Sequence, residues 1–260
     1  MSILFSGDFH ANSKGELNQI TKETLIKKYS QEKFDSIRYH IILGDAGFLW
    51  PGNYRADMAN YKALDQRPFP VLCVVGNHEP ILGMKNIPGI SSQIYHEVDI
   101  GIGEIVYQIQ DKPFIAYLKR GKVYNIDGFK FLVLGGALSI DKNFRKPNIS
   151  WWENEYWSQH EKDDVFSLLK NENNFDYVIS HTGPYRVNHE VFGKFEGYFR
   201  NFFDEVAALN EKIDGMITCK QWFCGHWHHD VYYFDEKLER GYQFLYEKTG
   251  LLAGGEVFVE

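Results

Sequence analysis

Residues 3–10 read Ile3-Leu4-Phe5-Ser6-Gly7-Asp8-Phe9-His10, a short apolar run that leads through a glycine into an aspartate and a histidine. The same order of residue types returns at Ile41-Ile42-Leu43-Gly44-Asp45 and at Val74-Val75-Gly76-Asn77-His78-Glu79. Two later runs end in histidine, as Val178-Ile179-Ser180-His181 and as Trp222-Phe223-Cys224-Gly225-His226-Trp227-His228. Short apolar runs bounded by turn residues predict buried strands. Five predicted strands therefore end at residue types that bind metal ions.

Strand and helix patterns alternate in the first third of the chain. Buried strands are expected at 3–6, 37–43, 71–75, 129–134, 177–180 and 221–224. Helical periodicity occurs at 16–32, 57–66, 152–171 and 199–212, and Ser150 with Glu153 forms a candidate capping box for the third helix. Residues 90–134 and 229–259 are richer in strand and hairpin patterns. These patterns predict an α/β (α+β) fold with layered, mixed sheets.

The composition is that of a folded protein with a substantial core. The chain has 260 residues, of which 44% are hydrophobic and 16% aromatic. A domain of this size buries roughly three quarters of its unfolded surface. We find no internal repeat or linker composition, so we expect one domain over 1–260. Residues 80–128 have the least regular pattern and are expected to form a cap or insertion that shapes the substrate pocket.

Charge and cysteine content narrow the partners and the compartment. The formal charge of −7 argues against extended binding to nucleic acid or to anionic lipid, which requires a basic face. No apolar stretch approaches the roughly 20 residues of a membrane helix, and the N-terminus lacks a basic leader. The three cysteines, Cys73, Cys219 and Cys224, form no disulfide framework. We expect a cytoplasmic protein, and its oligomeric state stays open.

The polar residues that follow the strands predict one metal site. In open α/β sheets, ligands bind beyond the carboxyl ends of the strands, so five such ends can converge. Glycine precedes the ligand types at 7, 44, 76 and 225, where the backbone turns close to the site. Asp8 with His10, and His226 with His228, have a spacing of two that places each pair on one face of an extended segment. Carboxylate, imidazole and amide ligands suit Mn, Fe, Zn or Mg.

The order Asp-x-His, Gly-Asp, Gly-Asn-His-Glu, His, Gly-His-x-His over residues 7–228 resembles the signature of the calcineurin-like metallophosphoesterases. The resemblance implies a four-layer αββα sandwich with two mixed β-sheets and a dinuclear metal site at the carboxyl edge of the strands. It also implies two divalent ions, for which we expect manganese, with iron, zinc and magnesium as alternatives. By the resemblance, one ion is bound by Asp8, His10 and His228, the other by Asn77, His181 and His226, and both by Asp45.

The implied activity is hydrolysis of phosphate esters by a hydroxide that bridges the two metals. Metals about 3.5 to 4 Å apart share such a nucleophile and stabilise the charge of an in-line displacement. The catalytic residues are then Asp45 and His78, which is not a ligand but the general acid for the leaving group. A phosphatase with a small-molecule or nucleotide substrate is favoured. The alternatives are a phosphodiesterase or nuclease, and a non-catalytic interaction module on the same fold.

Two stretches distinguish the chain within this superfamily. Asp45 is followed by Ala46-Gly47-Phe48-Leu49-Trp50, whereas the serine/threonine protein phosphatases continue with an acidic residue and an arginine; a protein phosphatase is therefore disfavoured. Gly135-Gly136-Ala137-Leu138-Ser139-Ile140-Asp141-Lys142, with the later Trp151-Trp152-Glu153-Asn154-Glu155, resembles small bacterial and phage phosphoesterases. In this stretch we expect Arg145 to hold a phosphate and Asp141 to orient His78.

Overall fold

The computed structural model describes residues 1–10, 20–48, 69–79, 95–110, 114–193 and 203–260. Their strands are β1 Ser2–Ser6, β2 Ile37–Ile42, β3 Val71–Cys73, β4 His96–Val98, β5 Val106–Gln110, β6 Ile115–Tyr117, β7 Lys122–Ile126, β8 Phe129–Leu134, β9 Tyr177–Ser180, β10 Gln221–Cys224, β11 Val231–Asp235, β12 Arg240–Phe244, β13 Gly250–Ala253 and β14 Glu256–Val259. Their helices are α1 Lys22–Tyr29, α2 Gln31–Ser36, α3 Gln159–Asn171, α4 Tyr185–Phe192 and α5 Glu205–Asp214. All six strands expected from the apolar runs form within two residues of their expected ends.

The strands form two mixed sheets. One has eight strands in the order β14-β13-β1-β2-β3-β6-β5-β4, and the other has six in the order β11-β12-β10-β9-β8-β7. In the first sheet β1, β2, β3 and β6 are mutually parallel neighbours. In the second, β12, β10, β9 and β8 are parallel. The antiparallel strands lie outside these central sets, so the carboxyl ends of the central strands share one edge in each sheet.

Side-chain alternation along the strands builds the layers. Ile3 and Phe5 of β1 lie in a core that also contains Tyr177 and Phe223 of the second sheet, so this core fills the space between the sheets. Leu4 of β1 lies instead in the core beneath α1 and α2. A third core joins the second sheet to α3, α4 and α5. Helices thus cover the outer faces of two packed sheets, and the expected αββα sandwich is confirmed.

The third helix begins later than its periodicity predicts. It starts at Gln159, and its capping box is Ser158 with Glu161 rather than Ser150 with Glu153. Residues 153–155 form a short 3₁₀ turn instead. Trp157 fixes this segment against the sheet, because its indole N–H donates to the Gly135 carbonyl at 2.9 Å. Tertiary contacts to the loop after β8 therefore override the local helical pattern.

The other expected elements are partly outside the described residues. The helix expected at 16–32 is divided into α1 and α2 at Ser30, whose φ is 103°. The helix at 57–66 lies outside the described ranges, as do 80–94 of the expected cap. Residues 95–128 contribute β4, β5 and β6 to the first sheet and β7 to the second. Among the helices described, none is both long and apolar enough to cross a lipid bilayer.

Candidate metal centre

Five strands deliver the expected ligand residues to one place. Asp8 follows β1, Asp45 follows β2, Asn77 follows β3, His181 follows β9, and the histidines at 226 and 228 follow β10. Ligand atoms within 4.8 Å of one another are offered by three overlapping groups, namely Asp8 with His10 and His228, His10 with Asp45 and His78, and Asp8 with Asp45 and His181. Asn77 Oδ1 lies 2.9 Å from His181 Nε2. The His226 ring centroid lies 4.9 Å from that of His181. All seven expected ligands therefore belong to one connected cluster.

The backbone at this cluster is unusual. Five of the seven expected ligands have left-handed φ values, namely Asp8 (27°), His10 (42°), Asp45 (49°), His226 (72°) and His228 (50°). Non-glycine residues avoid this region, at a cost of about 1 kcal/mol or more each, and concentrate there at functional sites. The Asp-x-His and His-x-His pairs therefore approach from tight turns, not from the extended segments that their spacing suggested.

Gly44 illustrates how closely the backbone approaches the site. Its φ is 93°, and an added Cβ would overlap the imidazole of His181. Gly128 has a similar φ of 85°, but an added Cβ there would meet nothing within 4 Å. The two glycines therefore separate the cost of left-handed backbone from the cost of crowding the site.

We expect Gly44→Ala to lower the free energy of unfolding more than Gly128→Ala does. Both variants incur about 1–2 kcal/mol for placing a Cβ in left-handed backbone. Only Gly44→Ala adds the overpacking penalty of a buried clash, about 1–3 kcal/mol. Urea unfolding of both variants at one manganese concentration measures the difference. Equal losses would mean that the His181 ring shifts without cost.

His181 is oriented by the backbone of the neighbouring strand. Its Nδ1 lies 2.8 Å from the carbonyl oxygen of Leu43. A carbonyl only accepts, so Nδ1 carries the proton of this bond and Nε2 faces the cluster. Such a contact on the second ring nitrogen is the usual way a protein fixes a metal-binding histidine. The geometry of His181 therefore fits a ligand that binds through Nε2.

The electrostatics of the cluster fit a bound cation. Asp8 is buried, and neither carboxylate oxygen accepts a hydrogen bond of ordinary geometry from the described residues. Burial raises the pKa of Asp8, although His181 and, more weakly, the backbone amide of His226 oppose the shift. Burial also acts on Asp45, but His181 and His78 outweigh it and hold the pKa of Asp45 well below its usual range. Two buried carboxylates with free coordination positions are the donor set expected around divalent ions.

The pKa of His181 also reflects the negative charge of the cluster. Burial lowers the pKa of this imidazole, but the carboxylates of Asp45 and Asp8 outweigh burial and raise it to about 10. Its Nε2 lies 3.4 Å from Asp45 Oδ2, and its Nδ1 lies 3.8 Å from Asp8 Oδ1. In the metal-free chain a protonated His181 therefore supplies positive charge that divalent ions would otherwise supply.

Glu79, the last residue of the Gly-Asn-His-Glu motif, connects two of the ligand loops. Its buried carboxylate accepts from the amides of Gly76 at 2.6 Å, Asp45 at 3.1 Å and Gly47 at 3.2 Å. Burial, with the charge of Asp45, raises the pKa of Glu79 to about 7. The sequence alone predicted no role for Glu79, although its place in the motif was a signal. It fixes the loop of Asp45 to the loop of Asn77.

His78 lies beside Asp45 and is covered by Arg145. The His78 amide donates to Asp45 Oδ1 at 3.0 Å, and His78 Nε2 lies 3.7 Å from Asp45 Oδ2. The two terminal guanidinium nitrogens of Arg145 lie 3.1 and 3.0 Å from Nδ1 and Nε2 of His78. Asp141 pairs with Arg145 Nε at 2.6 Å. Asp141 therefore reaches His78 through Arg145, and does not contact the ring directly as we expected from the sequence.

His228 has an aromatic neighbour that its sequence motif did not predict. The Tyr246 ring stacks on His228, with centroids 4.6 Å apart and planes at 9°. The Asp230 carboxylate holds this loop by accepting from the amides of Tyr246, Glu247 and Lys248 at 2.8 to 3.0 Å. On its other side, His228 Nε2 lies 3.0 Å from His10 Nε2. The loop that follows β12 therefore supports the imidazole pair through Tyr246.

The family model for calcineurin-like phosphoesterases matches residues 1–230, and the chain belongs to this family. Members depend on a dinuclear metal centre, and the chain is accordingly a metal-dependent phosphoric ester hydrolase. The remaining residues, 231–260, form β11 to β14, which complete one end of each sheet. No curated protein matches the chain in sequence.

Several solved structures align with this chain at low sequence identity. One crystal structure aligns over 100% of this chain and 98% of its own, with a TM-score of 0.53 and 10% identity. The phosphopantetheinyl hydrolase PptH from Mycobacterium tuberculosis aligns over 95% and 90% of the two chains, with a TM-score of 0.49 and 10% identity. A dimetal phosphatase from Danio rerio aligns over 100% and 98%, with a TM-score of 0.47 and 13% identity. At such identities the likeness concerns the fold alone.

Proposed function

We propose that the chain is a phosphatase whose two divalent ions are held by the seven residues of the cluster. Asp8, His10 and His228 would bind one ion, Asn77, His181 and His226 would bind the other, and Asp45 would bind both. The observation that carries this proposal is the set of three overlapping ligand groups, Asp8 with His10 and His228, Asp8 with Asp45 and His181, and His10 with Asp45 and His78. In the last group we assign His78 to proton transfer and not to metal binding. Manganese is the ion that we propose, and its identity is tested by metal reconstitution.

The residues around the cluster have complementary roles in this proposal. Two divalent ions bound here would supply Lewis acidity and activate a water molecule for attack on phosphorus. Arg145 presents its guanidinium beside His78, where it binds the non-bridging oxygens of the phosphate. His78 donates a proton to the leaving oxygen. Because the nucleophile derives from water, no covalent phosphoenzyme forms.

Arg145 favours a monoester over a diester. A phosphate monoester carries about one more negative charge than a diester at neutral pH. Arg145 adds a permanent cation on the His78 side of the cluster, and only 13% of its side chain is exposed. A partly desolvated cation discriminates between these charges more strongly than one in water. The geometry therefore supports a phosphatase, and the alternative within the family is a phosphodiesterase or nuclease.

The test compares initial rates on a chromogenic phosphate monoester and on its diester analogue, with added manganese. Phosphatase activity is expected to exceed diesterase activity, and Arg145→Ala should narrow the ratio by slowing the monoester more. A faster diester would replace the proposed phosphatase by a phosphodiesterase. No turnover of either ester by protein that holds two ions per chain would favour the interaction-module alternative.

Loss of His78 should affect esters according to their leaving groups. A nitrophenolate leaves without a proton, whereas an alkoxide needs one. We expect His78→Ala to lower kcat for an alkyl phosphate by about 10²- to 10⁴-fold and for nitrophenyl phosphate by about tenfold or less. His160→Ala is the matched control, because the His160 side chain is 83% exposed on α3. Equal losses on both esters would assign His78 to binding instead of proton transfer.

Three further assignments complete the proposal. Residues 1–260 form one domain, which is supported by strands from 95–128 and from 231–259 in both sheets. The three cysteines are free thiols, which supports a reducing, cytoplasmic setting. The substrate is a small phosphate ester or nucleotide, in keeping with a net charge of −7 that disfavours long nucleic acid.

A further inference from the structure

A buried chain of hydrogen bonds connects the expected ligand Asn77 to Glu155, which lies 78 residues further along the sequence. Asn77 Nδ2 donates to Ser139 Oγ at 3.0 Å. Ser139 Oγ donates to Glu155 Oε1 at 2.5 Å, and the Ser139 amide donates to Glu155 Oε2 at 2.9 Å. Asn77, Ser139 and Glu155 are 3%, 4% and 1% exposed. Water therefore has little access to replace any of these bonds.

The chain of bonds has a direction, and the carboxylate sets it. An ionised carboxylate accepts hydrogen bonds and donates none, so the Ser139 hydroxyl must donate its only proton to Glu155. Ser139 Oγ then has acceptor capacity alone to offer Asn77. The two faces of an asparagine amide are otherwise nearly interchangeable in shape. The amide must therefore turn Nδ2 toward Ser139 and Oδ1 toward the cluster, where Oδ1 lies 2.9 Å from His181 Nε2.

We propose that Glu155 and Ser139 are positioning residues that fix the amide of Asn77 with its oxygen toward the metals. This inference rests on the proposed function, in which Asn77 is a ligand. An amide oxygen coordinates hard divalent ions, whereas the NH₂ group has no lone pair to offer. A flipped amide would therefore remove one ligand without changing the shape of the site.

Glu155→Gln tests the direction of the hydrogen bonds that join Glu155, Ser139 and Asn77. A glutamine has one acceptor oxygen, which the buried Ser139 amide would retain, so its NH₂ would face Ser139 Oγ. The Ser139 hydroxyl is then released to donate toward residue 77, and the Asn77 amide is free to flip. We expect the weaker of the two manganese dissociation constants to rise about 10- to 100-fold, as for other residues that orient metal ligands. Glu153→Gln, on an exposed side chain in the same 3₁₀ turn, should leave both constants unchanged.

Asn77→Asp should be tolerated better when the Ser139 hydroxyl donates toward residue 77 than when it donates to Glu155, as in the native protein. In the native background, the aspartate introduced at position 77 and the native Glu155 would both require the single hydroxyl proton of Ser139. In the Glu155→Gln background, Ser139 donates to the introduced aspartate, and both faces of residue 77 carry oxygen. We therefore expect Asn77→Asp to improve manganese affinity at least about tenfold more in the Glu155→Gln background than in the native one. The general effect of the added charge cancels in this cycle.

Ser139→Ala distinguishes coupling through the hydrogen bonds of Ser139 from coupling by charge repulsion between residues 77 and 155. Without the hydroxyl, the repulsion between residues 77 and 155 persists but the relay does not. The coupling between Asn77→Asp and Glu155→Gln should therefore fall clearly below the roughly tenfold value expected with Ser139 present, whereas a coupling that does not fall would assign it to repulsion alone and overturn the positioning role. If Glu155→Gln does not fold, Ser139→Ala tests the proposal alone through the same rise in the dissociation constant, because it removes only the hydroxyl.

The measurement is calorimetric titration of the metal-free chains with manganese, with circular dichroism to verify the fold. Titrations are made at about pH 8.5, because burial, opposed by the Ser139 hydrogen bonds, raises the pKa of Glu155 to about 7. The positioning role would be overturned if the effects of Asn77→Asp and Glu155→Gln on manganese affinity were additive and if Glu155→Gln had the same dissociation constants as Glu153→Gln. Asn77→Ala that still binds two ions with native affinities would instead overturn the ligand assignment of the proposed function, and the relay with it.

Discussion

Asp45→Asn is expected to abolish turnover of every phosphate ester that the native chain hydrolyses. Asp45 is 2% exposed and has Oδ2 3.4 Å from His181 Nε2 and 3.7 Å from His78 Nε2. Asparagine retains the acceptor for the His78 amide but removes the charge that both ions are proposed to share. A loss of roughly 1,000-fold or more in kcat corresponds to about 4 kcal/mol of transition-state stabilisation.

The fold should survive this change, because Glu79 holds the Asp45 loop through backbone amides. Metal content should fall below two ions per chain when measured by atomic emission after desalting. Asp164→Asn is the matched control, since it removes the same charge from an exposed position on α3. Undiminished turnover by Asp45→Asn would exclude a bridging role for Asp45. If the native chain showed no turnover and Asp45→Asn still bound the partner of the native chain, the interaction-module alternative would be favoured.

The sequence predicted the strands that carry the ligands because their signal is local. Each apolar run is short, is bounded by turn residues, and ends at its polar residue without help from distant segments. β8, β9 and β10 have the ends that their apolar runs predicted. The convergence of those ends follows from parallel pairing of central strands, a general property of such sheets. The fold and the clustering of the seven expected ligand residues were thus accessible from pattern and resemblance together.

The supporting residues were not accessible in the same way. Glu155 contacts Ser139 across 16 residues, and Ser139 contacts Asn77 across 62. No periodicity or spacing links such positions, because the contact is made by the loop after β8 folding back over the strand ends. The same loop carries Arg145 over His78, a contact that the sequence pattern did not predict. Its packing through Trp157 also moved the start of α3, so a local pattern was wrong where tertiary contacts were strongest.

Asp8→Asn is expected to change stability in opposite directions with and without metal. In the metal-free chain the Asp8 carboxylate is 1% exposed, and neither oxygen accepts a hydrogen bond of ordinary geometry within the described residues. Burial raises its pKa in the folded state, so the charged carboxylate opposes folding at any pH above its unfolded pKa. Asparagine removes that charge. We therefore expect the free energy of unfolding of the metal-free chain to rise by about 1–3 kcal/mol.

Manganese should reverse this order. Ions that bind only the folded chain stabilise it by about 4 kcal/mol when their concentration is a thousand times the dissociation constant. Asp8→Asn lacks a carboxylate that is proposed to bind one of the two ions and that belongs to two of the three ligand groups, so it should lose the part of that gain that this ion supplies. Urea unfolding of the native chain, Asp8→Asn and Asp164→Asn, each with chelator and with manganese, measures all the differences. If Asp8→Asn were less stable than the native chain under both conditions, Asp8 would be a structural residue whose charge is satisfied within the fold, and the metal assignment would lose its strongest electrostatic support.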